Sequence, residues 1–404
     1  MIVRPASSFL TITFFVIAVS ALVNARNARA QSGIALENVE ALVRFGEQIT
    51  FFATIKPLIP IQNVSIMIFD DSQAVMHVEP ISVQADGRTE FLFDTKQNSL
   101  RPFTNVQWKY QFMFPDGSTA ESETFFIRYA DDRFSWQTLE SGSLRVHWYQ
   151  SDANFGQAAL DAAQAGLESI SKLITPDLTQ PIEIFMYASA EDLRGTLVAG
   201  GRDWIAGHAD PALGVVMIVI EPGAEQGITM EQRIPHELMH VMLYRSVVVG
   251  YNNIPIWLRE GTASLAEIYP NADYDRVLTN AVTSNTLIPL KDLCTSFPAD
   301  TGQAFLAYAE SRSFTNYLHE TYGSAGLLNL AASYADGVDC ERGPERAFGV
   351  SFPNLETKWR SSVLGQNSFL SVLQNISPYL VLLCLVLIIP LIGIAGTLRK
   401  RKQQ

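Results

Sequence analysis

The chain has 404 residues, 48% of them apolar and 17% charged, a balance that suits a packed globular protein and excludes a disordered one. Its formal net charge is -12. Setting aside Arg4, Arg26 and Arg29 at one end and Arg399, Lys400, Arg401 and Lys402 at the other leaves a body more acidic still, which repels a phosphate backbone and excludes nucleic acid as a partner.

Residues 1–30 read as a secretory signal peptide: Arg4, an apolar stretch from Phe9 to Val23, and Ala28-Arg29-Ala30 as a small-x-small cleavage site, with an uncleaved signal anchor as the alternative that Arg26 and Arg29 leave open. From 31 to 135 the pattern is strand after strand. Gln48 to Ile55, Val64 to Phe69, Thr89 to Phe93, Val106 to Phe114 and Glu123 to Tyr129 are rich in β-branched and aromatic residues. Turn chemistry such as Asp86-Gly87 and Pro115-Asp116-Gly117 separates them. Regular short strands of this kind predict an antiparallel sandwich of the immunoglobulin or fibronectin sort.

Asp131 to Trp136 marks a junction, and a second domain follows over 140–365. Strands are predicted at Leu144 to Tyr149, Ile182 to Tyr187 and Gly214 to Ile220, with an Ala-rich amphipathic helix from Asn154 to Leu173. Helices dominate from Met230, so the domain reads as α+β. After a linker at 366–377, residues 378–398 form a dense apolar run long enough to cross a bilayer as one helix of about 20 residues. Pro390 is tolerated in such a helix. The basic tail at 399–404 then sits in the cytoplasm by the positive-inside rule, leaving residues 31 to about 377 outside. This predicts a single-pass protein of the cell membrane with its C-terminus cytoplasmic. Cys384 lies in the predicted span; Cys294 and Cys340 are the two cysteines of the exported part, and an oxidising compartment permits but does not require their pairing. His77 and His147 read as structural.

The chemistry is concentrated after residue 235. His236-Glu237-Leu238-Met239-His240 puts two imidazoles four residues apart, on one face of a helix, where both can reach one metal ion. Glu237, beside the first imidazole, is placed to take a proton from water. The apolar flanks Leu238, Met239, Val241, Met242 and Leu243 mark a buried helix, in which two imidazoles and a carboxylate need partners. Glu260 follows in Ile256-Trp257-Leu258-Arg259-Glu260-Gly261, after a turn at Gly250 to Pro255 that lets the chain return as a second helix. Two histidines and a glutamate leave a fourth zinc position open, the arrangement of a catalytic rather than a structural site.

His236-Glu237-x-x-His240 followed by Trp257-Leu258-x-Glu260-Gly261 resembles the gluzincin metallopeptidases, the thermolysin-like, peptidase MA-like superfamily, and the resemblance runs from about Leu144 to Trp359. Tyr308-Ala309-Glu310-Ser311 with Phe314, Tyr317, Leu318, Tyr322 and Gly323 resembles a downstream segment of that superfamily. With the β-sandwich and the transmembrane anchor read above, the resemblance makes this a multidomain chain whose second domain is a zincin-like metallopeptidase. It implies His236, His240 and Glu260 as ligands of Zn2+, Glu237 as general base, and a peptide or protein as substrate. The strand Val215 to Ile220 becomes the sheet edge that holds that peptide. Tyr308 becomes the donor to the oxyanion, with Tyr317, Tyr322, His208 and His319 as further candidates.

Some features depart from the pattern. The glycine-x-methionine-glutamate-asparagine motif of the related aminopeptidases is absent. Leu243 and Ser246 stand where metzincins carry glycine and histidine. Ser264 stands where some gluzincins place an acidic partner of the ligands, so ligand orientation must come from elsewhere, Glu267 being one source. Pro235 lacks an amide hydrogen and so calls for the first turn of a helix or a kink. The competing reading is a catalytically degenerate surface receptor or adhesion protein, in which the β domain carries recognition.

Overall fold

A computed structural model describes residues 34–57, 59–70, 75–197, 207–247 and 249–366, together with Tyr379 and Leu382. The signal peptide, the basic tail and all but two residues of the predicted span lie outside this set. Among the described residues no helix is long and apolar enough to cross a membrane. The chain divides into two compact units, residues 1–246 with 266–269, and residues 247–265 with 270–404.

The first unit begins with eight strands: β1 (Ile34–Arg44), β2 (Gln48–Pro57), β3 (Asn63–Asp70), β4 (Met76–Ile81), β5 (Arg88–Asp94), β6 (Asn105–Met113), β7 (Thr119–Glu121) and β8 (Phe125–Arg128). They form two antiparallel sheets, β1-β2-β5 and β4-β3-β6-β7, with β8 also paired to β6. Alternation decides which face is inside. On β6, Val106, Trp108, Tyr110 and Phe112 are buried while the residues between them are half-exposed. Trp108 meets Phe51 of β2 with ring centroids 5.0 Å apart, so the two sheets share one core. The Asp86-Gly87 turn is fixed by close approach: Gly87 has φ 87°, and a Cβ there would fall 2.3 Å from the Ile55 carbonyl oxygen.

The same unit continues with β9 (Gln137–Ser141), β10 (Leu144–Trp148), α1 (Ala153–Ser171), β11 (Ile182–Tyr187), α2 (Ala190–Thr196), β12 (Gly207–Asp210), β13 (Val215–Val219) and α3 (Gln226–Val247). The sheet order is β12-β13-β11-β10-β9; the three central strands run parallel and the two outer ones antiparallel to their neighbours. α1 starts where Asp152 accepts the amides of Asn154 and Phe155. Its Gly166 lets α1 close on α3, since a Cβ there would fall 2.9 Å from Cγ of Pro235.

The sandwich and this second sheet are joined by buried polar chemistry rather than by a loose linker. The Asp131 carboxylate is buried and accepts from Arg133, Tyr187 and Thr196. Phe103 stacks on Phe185 at 3.7 Å, and Arg101 and Arg128 pair with Asp210 and Glu183. His147 is structural: it bonds Thr138, faces Glu183 and stacks on Phe185.

One expectation is corrected here, and one alternative is narrowed. The strand over 215–220 is not the sheet edge, because β12 pairs along it antiparallel and is the outermost strand among the described residues. The sequence pattern is consistent with this: Val215-Val216-Met217-Ile218-Val219 is buried at every position, as a strand covered on both sides must be. Pro235 does not lie in a first turn, because α3 begins at Gln226 and Pro235 sits in its interior.

The second unit is helical: α4 (Ile256–Ala266), α5 (Asp273–Ser284), α6 (Thr301–Ala335), α7 (Gly343–Phe348) and α8 (Phe352–Ser362). Gly323 interrupts α6 with φ 69° and ψ -179°. Trp257 of α4 is fully buried against Phe314, Tyr334 and Phe352. Cys294 and Cys340 form a disulfide, the pairing the sequence left open.

Candidate metal centre

The i, i+4 spacing does on α3 what helix geometry requires: the rings of His236 and His240 lie 5.2 Å apart and nearly perpendicular. His236, His240 and Glu260 each offer one ligand atom, and these atoms all lie within 4.8 Å of one another. Zinc ligands at about 2.0–2.2 Å in a tetrahedron stand roughly 3.4 Å apart, which falls inside that envelope.

The orientation of His236 is set by a carboxylate. Its Nδ1 lies 3.0 Å from Oε1 of Glu267, whose side chain is only 6% exposed. A proton on Nδ1 donates to Glu267 and leaves the Nε2 lone pair for a metal, the tautomer a ligand needs. Glu267 thus takes the place of the acidic partner that Ser264 does not supply. The donor set, two imidazoles and a carboxylate with one imidazole fixed from behind, fits Zn2+.

Gly261, the neighbour of Glu260, is closely packed. A Cβ on Gly261 would fall 2.1 Å from Thr315 Oγ1 and 2.5 Å from the Ser311 carbonyl oxygen, so α4 and α6 touch backbone to side chain there. Glu237 faces the edge strand: a Cβ on Gly207 of β12 would fall 2.4 Å from Glu237 Oε1. One turn before it, Arg233 donates to the Val219 carbonyl at 2.6 Å; burial pushes its guanidinium down, and Glu237 and Glu221 oppose that shift.

The remaining candidates are placed as follows. Tyr308 is half-buried on α6 with its ring edge-on to Phe297 at 5.0 Å. Tyr322 stacks on Phe348 at 3.9 Å, Tyr317 packs by Phe314, and His319 bonds Ser324. His208 drops out as an oxyanion donor. On β12 Gly207 faces Glu237, so His208, the next residue, faces the opposite side with Asp210.

Sequence reasoning missed Gly207 and gave Glu310 no role of its own. Gly207 sits in a four-residue strand, Gly-His-Ala-Asp, that carries no strand signal. Glu310 is fully buried, accepts the Ile288 amide at 2.8 Å, and is pushed up to about 8 by burial. Its sequence signal was an acid set between Ala309 and Ser311 on a helix with buried Leu306, Ala307 and Phe314 around it.

A mixed sheet followed by one helix carrying His236 and His240 and a second carrying Glu260 is a zincin-like arrangement. The sequence profile of the Peptidase MA superfamily matches residues 162–365, just over half of the chain, and the chain belongs to that superfamily. No curated protein matches it. Among solved structures, a mutant of the M1 zinc metallopeptidase from Deinococcus radiodurans is similar at 11% identity, covering 82% of this chain and 94% of that one with a TM-score of 0.34. A β-1,3-glucan binding domain of carbohydrate-binding module family 56 matches at 18% identity over 22% of this chain and 95% of its own length, with a TM-score of 0.16. The cycloalternan-degrading enzyme of Trueperella pyogenes matches at 15% identity over 20% of this chain, which spans 14% of that enzyme, with a TM-score of 0.17.

Proposed function

We propose that the chain is a zinc metallopeptidase of the gluzincin type, held in a membrane by residues 378–398, with its catalytic part outside and its C-terminus in the cytoplasm. The observation that carries the catalytic reading is the convergence of His236, His240 and Glu260 with Glu267 behind His236. The apolar run and the basic residues after it support the anchor.

In this reading His236, His240 and Glu260 hold the ion. Zinc, when held there, supplies Lewis acidity toward water and the scissile carbonyl. Glu237 takes the proton of the attacking water and returns it to the leaving amine. The Tyr308 hydroxyl, assigned from its place in the family-like segment, donates to the carbonyl oxygen as charge gathers on it. β12, the edge strand, aligns an extended peptide by adding it as a further strand.

The test compares the full chain, wild type and Glu237→Gln, loaded with zinc and offered a mixture of unstructured proteins, with fragments identified by mass spectrometry. The expected result is cleavage by wild type and its loss in Glu237→Gln at unchanged zinc content. Zinc-loaded wild type that cleaves nothing would overturn the peptidase assignment and favour the receptor reading.

A further inference from the structure

Pro235 sits in the middle of α3, directly before the first ligand, where proline has no amide to give the Glu231 carbonyl four residues back. That carbonyl is not left without a partner. The Ile268 amide donates to it at 3.0 Å, from the segment just past the end of α4. The residue before Ile268 is Glu267, whose carboxylate lies against Nδ1 of His236. Side-chain packing does not explain why this segment stays in place, because Ile268 and Tyr269 are 37% and 48% exposed. Among the described residues its polar attachments include one backbone hydrogen bond and the Glu267–His236 pair.

We propose that Pro235 is a positioning residue for the metal centre. Its ring crowds the Glu231 carbonyl and tilts it off the helix axis, toward Ile268. The Ile268 bond then fixes Glu267 behind His236 and, through it, the ring orientation of the first ligand. With any other residue at 235, an amide would draw the carbonyl back into the helical ladder and weaken its hold on Ile268. The proline that looked awkward beside the motif is therefore what frees the acceptor. The inference rests on the metal-centre reading above, and its test separates the two.

The zinc dissociation constant of the full chain is measured by chelator competition for wild type, Pro235→Ala, Glu267→Ala and the double variant. Amide hydrogen exchange at Ile268 is followed in the metal-free protein. Loss of Glu267 is expected to weaken zinc binding about 10–100-fold, as for other groups that orient a ligand. Pro235→Ala is expected to weaken it about tenfold and to speed exchange at Ile268, and the double variant to match Glu267→Ala alone. Alanine is the best helix former, so Pro235→Ala keeps α3. Ile268→Pro, which removes the donor from the other side, is expected to reproduce its effect on zinc. Losses from Pro235→Ala and Glu267→Ala that multiply, or unchanged exchange at Ile268 in Pro235→Ala, would overturn the proposal. Wild type that binds no zinc while Ile268 stays protected would strike the metal reading and leave the backbone clip standing.

Discussion

Gly261→Ala is a one-carbon change that tests how Glu260 is placed. The new Cβ would lie 2.1 Å from Thr315 Oγ1 and 2.5 Å from the Ser311 carbonyl oxygen, where ordinary contact begins near 3.4 Å. The Thr315 hydroxyl can turn aside, but the Ser311 oxygen belongs to the backbone of α6. Relief therefore requires α4 and α6 to separate by about 1 Å, and Glu260, one residue away, shifts by a comparable amount. Metal ligands tolerate displacements of about 0.2 Å. The account predicts a stability loss of about 1–3 kcal/mol from overpacking. It also predicts zinc affinity reduced on the order of tenfold or more. Adding Thr315→Ala should not restore either property, because the backbone contact persists. The assay is a zinc titration beside a denaturant unfolding curve, each on wild type, Gly261→Ala and the double variant. Wild-type zinc affinity in Gly261→Ala would refute the idea that this contact positions the third ligand.

Glu310 makes the stability of the second unit depend on pH. Its folded carboxyl is pushed up to about 8 by burial, whereas an unfolded glutamate titrates near 4.5. Between those values the unfolded chain has lost the proton and the folded chain keeps it, so stability is full below about pH 4.5 and falls as pH rises toward 8. The loss by pH 7 is roughly 3 kcal/mol. Glu310→Gln keeps an acceptor for the Ile288 amide and should flatten the slope; parallel pH profiles for the two proteins would contradict the burial argument. The Cys294–Cys340 disulfide closes a loop across a sequence separation of 46 residues. Its removal by a double alanine substitution should cost about 2–4 kcal/mol. An unfolding midpoint that does not move would show that the bridge does not form in solution.

What the sequence made legible follows from where the signal was stored. Strands such as β2 and β6 announce themselves because period-2 burial is written in consecutive side chains. The grouping of His236, His240 and Glu260 was legible because helix geometry converts a spacing of four into one face, and because a return turn brings the next glutamate back. β12 was not legible, and its absence from the reading made β13 look like an edge. The all-apolar run of β13 was the evidence against that assignment. The roles of Gly207 and Gly261 depend on where the neighbouring elements pass, which residue type alone does not disclose. Glu267 was one option among others until its carboxylate was seen against His236. The bond from Ile268 to Glu231 joins backbone atoms far apart in sequence, yet it had a trace: a proline inside a helix always leaves one carbonyl in search of a donor.

The central claim is that His236, His240 and Glu260 hold one catalytic metal ion. Elemental analysis of the purified full chain, wild type beside Glu260→Ala, tests it most directly. The account predicts about one zinc per wild-type chain and a large loss in the variant, with both proteins folded. Folded wild-type protein that holds no zinc, or a Glu260→Ala variant that holds as much as wild type, would contradict it.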